Sequence, residues 1–392
     1  MGRALELAER ALGICNPNPA VGAVLVKDGR IVGEGWTQPP GQAHAEIMAL
    51  RQAGEAARGA TLYVTLEPCC HHGRTPPCTD AIVSAGVRSV HLALIDPSPW
   101  VAGGGQRHLE SAGVETVVGE HERDAWRLNA PYFKHLGQDL PFVAVKWAMT
   151  LDGKIATHTG SSFWVTGEAA RARVARLRAQ SGAVMVGVGT ILADDPQLTV
   201  RPESLRPADR RELEGLPARQ PLRVVLDSLA RTPPTARVVA GAFPGATLVM
   251  VTPDAPLERC RALEERGAEI VVVPGQDGRV HPGVALRVLA ERGITSVLVE
   301  AGGTLMGTLF EAGLVDQVYA FIAPKLVGGA AALTPLAGKG YAEMSQAVSL
   351  HDVRVERLDD DLLVTGYVAP FEPRRDLWLA AAGSAPPDHS SG

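Results

Sequence analysis

His44-Ala45-Glu46, Pro68-Cys69 and Cys78 constrain this chain more than any other feature, because together they require three separate segments to meet at one point. A hydrolytic zinc site needs three protein ligands, an open fourth position for water, and an acid/base that is not itself a ligand. His44, Cys69 and Cys78 supply the ligands in this reading, and Glu46 is the proton shuttle. Zinc lowers the pKa of a bound water towards ~7, and a nearby carboxylate can pass its proton to a leaving group. Side chains two apart on a regular helix do not share a face. The pair therefore requires His44 at a helix start, in a non-helical conformation, with the helix running over about 43–52. Cys69 would follow a strand. Cys78, directly after Pro76-Pro77, would open the next helix, where exposed N–H groups favour a thiolate. Cys70 and His72 stay open as third ligands, although Cys70, adjacent to Cys69, would normally point away from the same ion.

The cysteine count agrees with metal chemistry. Five cysteines, three of them crowded between positions 69 and 78, make a poor disulfide framework for 392 residues. A length of 392 suggests two or three domains, and a hydrophobic content of 46% is enough for sizeable cores. The formal net charge is −5, with Lys and Arg scattered singly, which argues against a nucleic-acid binder working by phosphate neutralisation. A local basic pocket for a phosphorylated small molecule is compatible with it. No apolar run is long enough to cross a bilayer. The amphipathic, partly acidic start lacks the form of a signal peptide, so the expected location is cytoplasmic.

Strand and helix patterns alternate through both halves, which implies layered α/β domains. Helix is expected over 3–12, then β-branched strands over 21–26 and 31–35 joined by an Asp28-Gly29 hairpin turn. Strands over 61–66, 89–95 and 114–118 alternate with helices over 79–85 and 106–112. The expected domains are 1–139 and 140–370, with Gly137-Gln138-Asp139 as linker and 371–392 as a mobile tail. In the second half, strands are expected over 142–147, 183–188, 222–226, 247–251, 269–273, 296–299 and 317–322. Helices are expected over 168–179, 257–266, 284–292 and 304–312.

Nucleobase zinc deaminases carry H-x-E followed by P-C-x-x-C. Here position 72 is His72, and eight residues separate Cys69 from Cys78. With that long spacing, the run from Thr65 to Cys78 (Thr-Leu-Glu-Pro-Cys-Cys-His-His-Gly-Arg-Thr-Pro-Pro-Cys) resembles the bifunctional deaminase–reductase family of bacterial riboflavin biosynthesis. Further likeness lies in Asn16-Pro17-Asn18-Pro19, Asp96-Pro97, Leu151-Asp152-Gly153-Lys154, Trp164-Val165-Thr166, Asp194-Asp195-Pro196 and Glu300-Ala301-Gly302-Gly303. The resemblance covers about residues 3–370. It implies a cytidine-deaminase-like three-layer domain followed by a dihydrofolate-reductase-like domain, with zinc and NADPH as cofactors. It also implies a phosphorylated pyrimidine substrate that is first deaminated and then reduced at its ribosyl side chain. By family position, Asn18, Arg74 and Asp96 line the deaminase pocket. Ala148, Trp164, Thr190, Asp194, Ser228 and the turn Gly302, Gly303, Thr304, Leu305, Met306 and Gly307 match cofactor positions. Ser162, Arg178, Leu198, Arg201 and Glu300 match reductase-substrate positions.

Read from residues alone, the second half fails the Rossmann test of G-x-G-x-x-G after a strand. The run from Gly187 to Leu192 lacks the third glycine, and the run from Gly302 to Gly307 has the wrong spacing. Both turns still lie between a strand and a helix, where backbone N–H groups can approach a phosphate. Arg178 and Arg201 are apt for clamping a phosphate bidentately. Lys146 and Lys154 either hold substrate or snorkel. Two other readings compete: a zinc deaminase of another nucleoside or of tRNA, and a zinc-stabilised module without catalysis. The net charge and the second domain weigh against the first. Four protein ligands would support the second, which leaves Glu46 without a task. A homo-oligomer is compatible with the sequence.

Overall fold

The computed structural model describes residues 1–71, 76–99, 101–204, 207, 210, 214, 220–240 and 246–370. The expected tail, 371–392, lies outside the described residues. Contacts divide the described chain into two compact units, meeting at Gln138/Asp139.

The first unit contains α1 (Gly2–Glu9), β1 (Gly22–Lys27), β2 (Arg30–Trp36), α2 (Ala45–Ala53), β3 (Thr61–Val64), α3 (Cys78–Ser84), β4 (Ser89–Leu92), α4 (Gly104–Ser111), β5 (Glu115–Val118) and α5 (Glu122–Gln138). Among the described residues its sheet has five strands in the order β2-β1-β3-β4-β5. β1 runs antiparallel to β2 and β3, while β3, β4 and β5 are parallel. Asp28 and Gly29 both adopt positive φ (50° and 74°), the geometry an Asp-Gly hairpin turn requires. Gly33 and Gly35 let α2 lie directly on β2. A Cβ at either position would strike the carbonyl of Ala49 or Ala45. On the other face, a Cβ at Gly22 would strike Ala4 of α1. Helices thus cover both faces of the sheet, forming three layers, and the larger core (Leu25, Ala49, Leu62, Val64, Ile82, Leu109) lies on the α2 side.

Residues 137 and 138, read from sequence as linker, belong to the last turn of α5. Pro131 inside that helix hid it from pattern reading. The helix matters for the site because buried Asn129 clamps Ala20 from both sides. Its Oδ1 accepts from the Ala20 N–H at 2.8 Å, and its Nδ2 donates to the Ala20 carbonyl at 3.0 Å. This pins the Asn16-to-Pro19 turn to the sheet.

The second unit contains β6 (Phe142–Thr150), α6 (Glu168–Ala179), β7 (Ala183–Gly187), α7 (Val188–Asp194), β8 (Leu222–Leu226), α8 (Arg237–Ala240), β9 (Thr247–Val251), α9 (Leu257–Glu264) and β10 (Ala268–Val272). A small hairpin follows, β11 (Gly275–Gln276) with β12 (Arg279–Val280). Then come α10 (Pro282–Glu291), β13 (Ser296–Val299), α11 (Gly303–Glu311), β14 (Gln317–Ala323), β15 (His351–Leu358) and β16 (Asp361–Tyr367). Nine strands form one sheet among the described residues, in the order β10-β9-β8-β7-β13-β6-β14-β16-β15. Pairing is parallel from β10 to β14 and antiparallel at β16 and β15. The central strands are apolar on both faces, as strands with both faces covered must be. The β15–β16 hairpin has no counterpart in the sequence reading. β15 is largely exposed and charged, so it lacks the alternation that betrays a half-buried strand.

Candidate active sites

In the first unit, the strand topology gathers the expected residues at one end of the sheet. The segments after β2, β3 and β4 all leave from that end, which is also where β1 begins. His44 is the N-cap of α2, with extended φ −75° and ψ 166°, the conformation the His-x-Glu spacing demands. Cys69 lies five residues beyond β3, and Cys78 is the first residue of α3. Ligand atoms of His44, Cys69 and Cys78 all lie within 4.8 Å of one another. His44 Nδ1 is 3.5 Å from Cys69 Sγ and 3.3 Å from Cys78 Sγ. Tetrahedral zinc with ordinary bond lengths asks for N···S separations of about 3.6 Å. The donor set therefore fits zinc in both chemistry and spacing.

The electrostatics favour a thiolate. The Cys78 N–H at the α3 start donates to Cys69 Sγ at 3.4 Å. Bonding from the Cys78 side chain, with help from His44 and that N–H, holds the Cys69 thiol down at about 4 against its burial. Cys69 and burial in turn push Cys78 up. Glu46 is only 3% exposed. Burial pushes its carboxyl up to about 7, with His44 opposing and Cys69 adding to the rise. Cys70 lies apart from the ligand triad, with its sulfur against Gly104 of α4. His72 and Arg74 lie outside the described residues.

Asp96, four residues past β4, is 5% exposed. Its Oδ1 accepts from the Ser98 N–H at 2.8 Å, and the Tyr132 hydroxyl lies 3.4 Å from the same oxygen. Burial pushes Asp96 up to about 7, the Ser98 N–H opposes, and the Glu67 charge adds to the rise. Asn18 is half-buried in the turn before β1, and its N–H bonds the Cys15 carbonyl. Glu67 was not marked in the sequence, yet it is a buried carboxylate at the centre of this region. The only sequence signal for it is its place two residues ahead of Cys69.

In the second unit, the expected residues come from the carboxyl ends of four adjacent parallel strands, where open α/β sheets bind ligands. β6 carries Ala148, β7 leads to Thr190 and Asp194 on α7, β8 leads to Ser228, and β13 leads to Glu300, Gly302 and Gly303. Gly302 is the N-cap of α11, and a Cβ on Gly302 or Gly189 would meet open space. Backbone N–H groups at the α11 start are thus approachable by a phosphate, which fits a dinucleotide cofactor. Gly303 and Gly307 serve packing instead. A Cβ at either would strike the segment 334–337, and the Ala337 N–H donates to the Gly303 carbonyl at 3.0 Å. Thr304, Leu305 and Met306 continue the same helix, with Met306 fully buried.

Ser228 Oγ accepts from the Val280 N–H at 2.9 Å, so its hydroxyl hydrogen remains to donate. Arg231 is exposed in the following turn. Ser162 Oγ donates to Asp194 Oδ1 at 3.0 Å, joining a residue expected at the substrate to one expected at the cofactor. Trp164 is 64% exposed, with the Arg171 guanidinium 4.5 Å over its ring. Leu198 is buried and holds positive φ (57°), which leucine adopts only under strain.

Glu300 carries the strongest electrostatics. Arg178 Nε and Nη2 donate to its two oxygens at 2.6 and 2.9 Å, and Lys146 Nζ is 2.9 Å from Oε2. Burial alone would raise this carboxyl, but Arg178 and then Lys146 hold it well below the usual carboxylate range. Arg178 Nη1 also donates to the Thr199 carbonyl at 3.0 Å. Its fork is engaged within the protein, so the bidentate phosphate clamp expected at Arg178 does not describe this geometry. Burial, followed by the charges of Arg178 and Arg237, depresses the Arg201 pKa. The charge of Glu203 opposes this fall.

Comparison with known proteins decides the family. The cytidine and deoxycytidylate deaminase zinc-binding region matches residues 1–94, and the RibD C-terminal domain matches residues 141–364. The chain belongs to the RibD family. It is 43% identical to the riboflavin biosynthesis protein RibD of Actinobacillus pleuropneumoniae over 364 residues, covering 93% of each chain. A solved structure of Acinetobacter baumannii RibD matches with a TM-score of 0.79 at 40% identity, covering 93% of this chain and 97% of that one. The Thermotoga maritima diaminohydroxyphosphoribosylaminopyrimidine deaminase/5-amino-6-(5-phosphoribosylamino)uracil reductase matches with a TM-score of 0.78 at 37% identity, covering 94% and 97%. As a RibD-family protein the chain is a bifunctional enzyme of riboflavin biosynthesis. Its first domain is a zinc-dependent, cytidine-deaminase-like deaminase, and its second is an NADPH-dependent, dihydrofolate-reductase-like reductase. Its substrate is a small phosphorylated pyrimidine. No helix among the described residues is long and apolar enough to cross a membrane.

Proposed function

We propose that the first site removes the ring amine of a diaminopyrimidinone ribosylamine 5′-phosphate as ammonia. The second site then reduces the ribosyl side chain of that product to ribityl. The observation that carries this reading is the convergence of His44, Cys69 and Cys78 within 4.8 Å beside buried Glu46. When bound, zinc supplies the Lewis acidity that makes water a nucleophile at neutral pH. His44, Cys69 and Cys78 hold the ion. Glu46 takes one proton from the attacking water and delivers it to the ring nitrogen, then takes the second from the hydroxyl formed on the ring carbon and delivers it to the amine, so that ammonia departs as the carbonyl forms. Asn18, Arg74 and Asp96 orient the pyrimidine, and the burial of Asp96 keeps bulk water from its carboxyl.

In the second site NADPH supplies the hydride. Ala148, Trp164, Thr190, Asp194, Ser228 and the Gly302-to-Gly307 turn hold the cofactor, the last through helix N–H groups. Ser162, Leu198, Arg201 and Glu300 hold the substrate, with Arg201 facing its phosphate. Arg178 acts through Glu300, whose charge and orientation it fixes. The domains that carry these steps span 1–139 and 140–370, and a cytoplasmic location belongs to the same reading. Incubating the protein with the diaminopyrimidinone phosphate, with and without NADPH, and weighing the products tests it. A loss of one amine for one oxygen without NADPH, followed by a gain of two hydrogens with it, is the expected result. No mass change without NADPH would remove the deaminase assignment.

A further inference from the structure

Glu67 is the one deeply buried carboxylate in the first unit, among the described residues, to which the chemistry above gives no task. It is 4% exposed and stands two residues ahead of Cys69. Its hydrogen bonds come from backbone N–H groups of a single downstream stretch. Oε2 accepts from Asp96 at 3.1 Å and from Gly103 at 2.9 Å, and Oε1 accepts from Gln106 at 2.8 Å. These donors span the exit from β4, which carries Asp96, and the first turn of α4. The close fit is enforced by Gly105, where a Cβ would lie 3.0 Å from the Glu67 side chain and would strike the Pro68 carbonyl. One carboxylate therefore ties the chain entering the Cys69 ligand position to the backbone that presents Asp96. An anion at the start of α4 also meets N–H groups that the helix itself leaves without partners.

We propose that Glu67 is a positioning residue of the deaminase: it sets the distance between the metal-holding segment at Cys69 and the substrate-facing carboxyl of Asp96. The proposal rests on the reading of Asp96 as a substrate contact. Glu67 touches neither metal nor substrate and acts through the Asp96 backbone. Replacing it with glutamine keeps size and burial but turns one acceptor into a donor facing N–H donors, which costs more than the lost bond itself. The expected result is a rise in deaminase KM with a smaller fall in kcat, together lowering kcat/KM about thirtyfold.

The test is a double-mutant cycle on the full-length zinc-loaded protein, with E67Q, D96N and the double variant. Deaminase kcat and KM, bound zinc and the reductase rate on the deaminated intermediate are measured for each. Coupling through one contact predicts that the double variant is scarcely worse than D96N alone, with zinc and reductase rate as in wild type. Losses that multiply would overturn the proposal, and so would wild-type deamination by E67Q beside an impaired D96N. Wild-type deamination by D96N would remove the Asp96 reading itself, and the proposal with it. If E67Q loses zinc, Gln106→Pro takes its place. Beside Gln106→Ala, which loses only the side-chain bonds to Glu110 and Thr116, it further deletes the N–H that Oε1 accepts, in a helix turn that does not need it. The proline variant is expected to raise KM about threefold to tenfold with zinc retained, and an unchanged KM would overturn the proposal.

Discussion

The two sites of this protein are built in opposite ways. The deaminase site collects three ligand atoms within 4.8 Å from a helix cap, a loop after a strand and a helix start. Its chemistry resides in residue types, histidine and cysteine, that few other roles would bring together. The proposed reductase site spreads along the carboxyl ends of four neighbouring strands, using alanine, serine, glycine and ordinary charged residues. Its most polar feature is the buried Lys146–Glu300–Arg178 cluster, which holds itself together by ion pairing without a metal. The contrast teaches that a metal site concentrates its dependence on a few atoms. A cofactor groove distributes its dependence over many backbone positions, so single substitutions should act very differently in the two halves.

The largest effect should come from the metal ligands. Cys78→Ser is expected to lose zinc and all measurable deamination, while the reductase rate on the deaminated intermediate stays at wild type. Cys70→Ser, whose sulfur lies against α4, should keep its zinc. Metal analysis of the two variants checks this, and the reverse metal contents would break the assigned ligand set.

Glu46→Gln should come next, with a fall in deaminase kcat of about 10²–10⁴ and zinc retained, since Glu46 is read as a proton carrier outside the coordination shell. Loss of zinc in that variant would make it a ligand.

The reductase half is probed by Glu300→Gln, which leaves Arg178 and Lys146 buried around a neutral group. Removing one partner of a buried ion pair costs about 3–5 kcal/mol, so unfolding of the second unit should begin at a lower temperature. Reductase kcat/KM should fall about ten- to hundredfold while deamination is untouched. Because the native Glu300 carboxyl is held below its unfolded value, its contribution is complete above about pH 5 and is lost as pH falls. Wild-type stability should therefore drop on acidification more steeply than that of Glu300→Gln, as calorimetry across pH 3–6 would measure on the order of one pH unit at a time. Parallel pH curves for the two proteins would mean that the pairing adds nothing.

The smallest effect concerns cofactor choice. NADPH should be preferred over NADH, with Ser228 and exposed Arg231 donating to the 2′-phosphate. Arg231→Ala and Ser228→Ala should each reduce the ratio of kcat/KM values about tenfold or somewhat more. Equal use of both nucleotides by the wild type would sink this assignment.

Much of the fold is legible residue by residue. The strands Leu222–Leu226, Thr247–Val251 and Ser296–Val299 and the helix Glu168–Ala179 stand at the boundaries that hydrophobic runs predict. Asp28-Gly29 closes its hairpin as a two-residue turn with positive φ at both positions. Illegible were α5, interrupted by Pro131, and the solvent-facing hairpin β15–β16. The proline breaks the helical reading of the first although its burial is periodic, and the exposed, charged β15 lacks the alternation that makes a strand visible before folding.

By itself the sequence determined which chemistry was possible. Ligand identity is a property of residue type, and the His-x-Glu spacing can serve one ion only from a helix cap, as His44 does. It likewise determined the α/β class, because alternation of apolar periods is local. Only the tertiary structure decided what each charge does. Arg178 looked suited to a phosphate, but the fold engages its fork with Glu300 and the Thr199 carbonyl. Glu67 stands in the sequence only as a residue of the run from Thr65 to Cys78, but the fold surrounds it with three backbone N–H groups from a segment some thirty to forty positions away. The physical reason is that a charge takes its meaning from its partners, and partners distant in sequence are brought together only by packing.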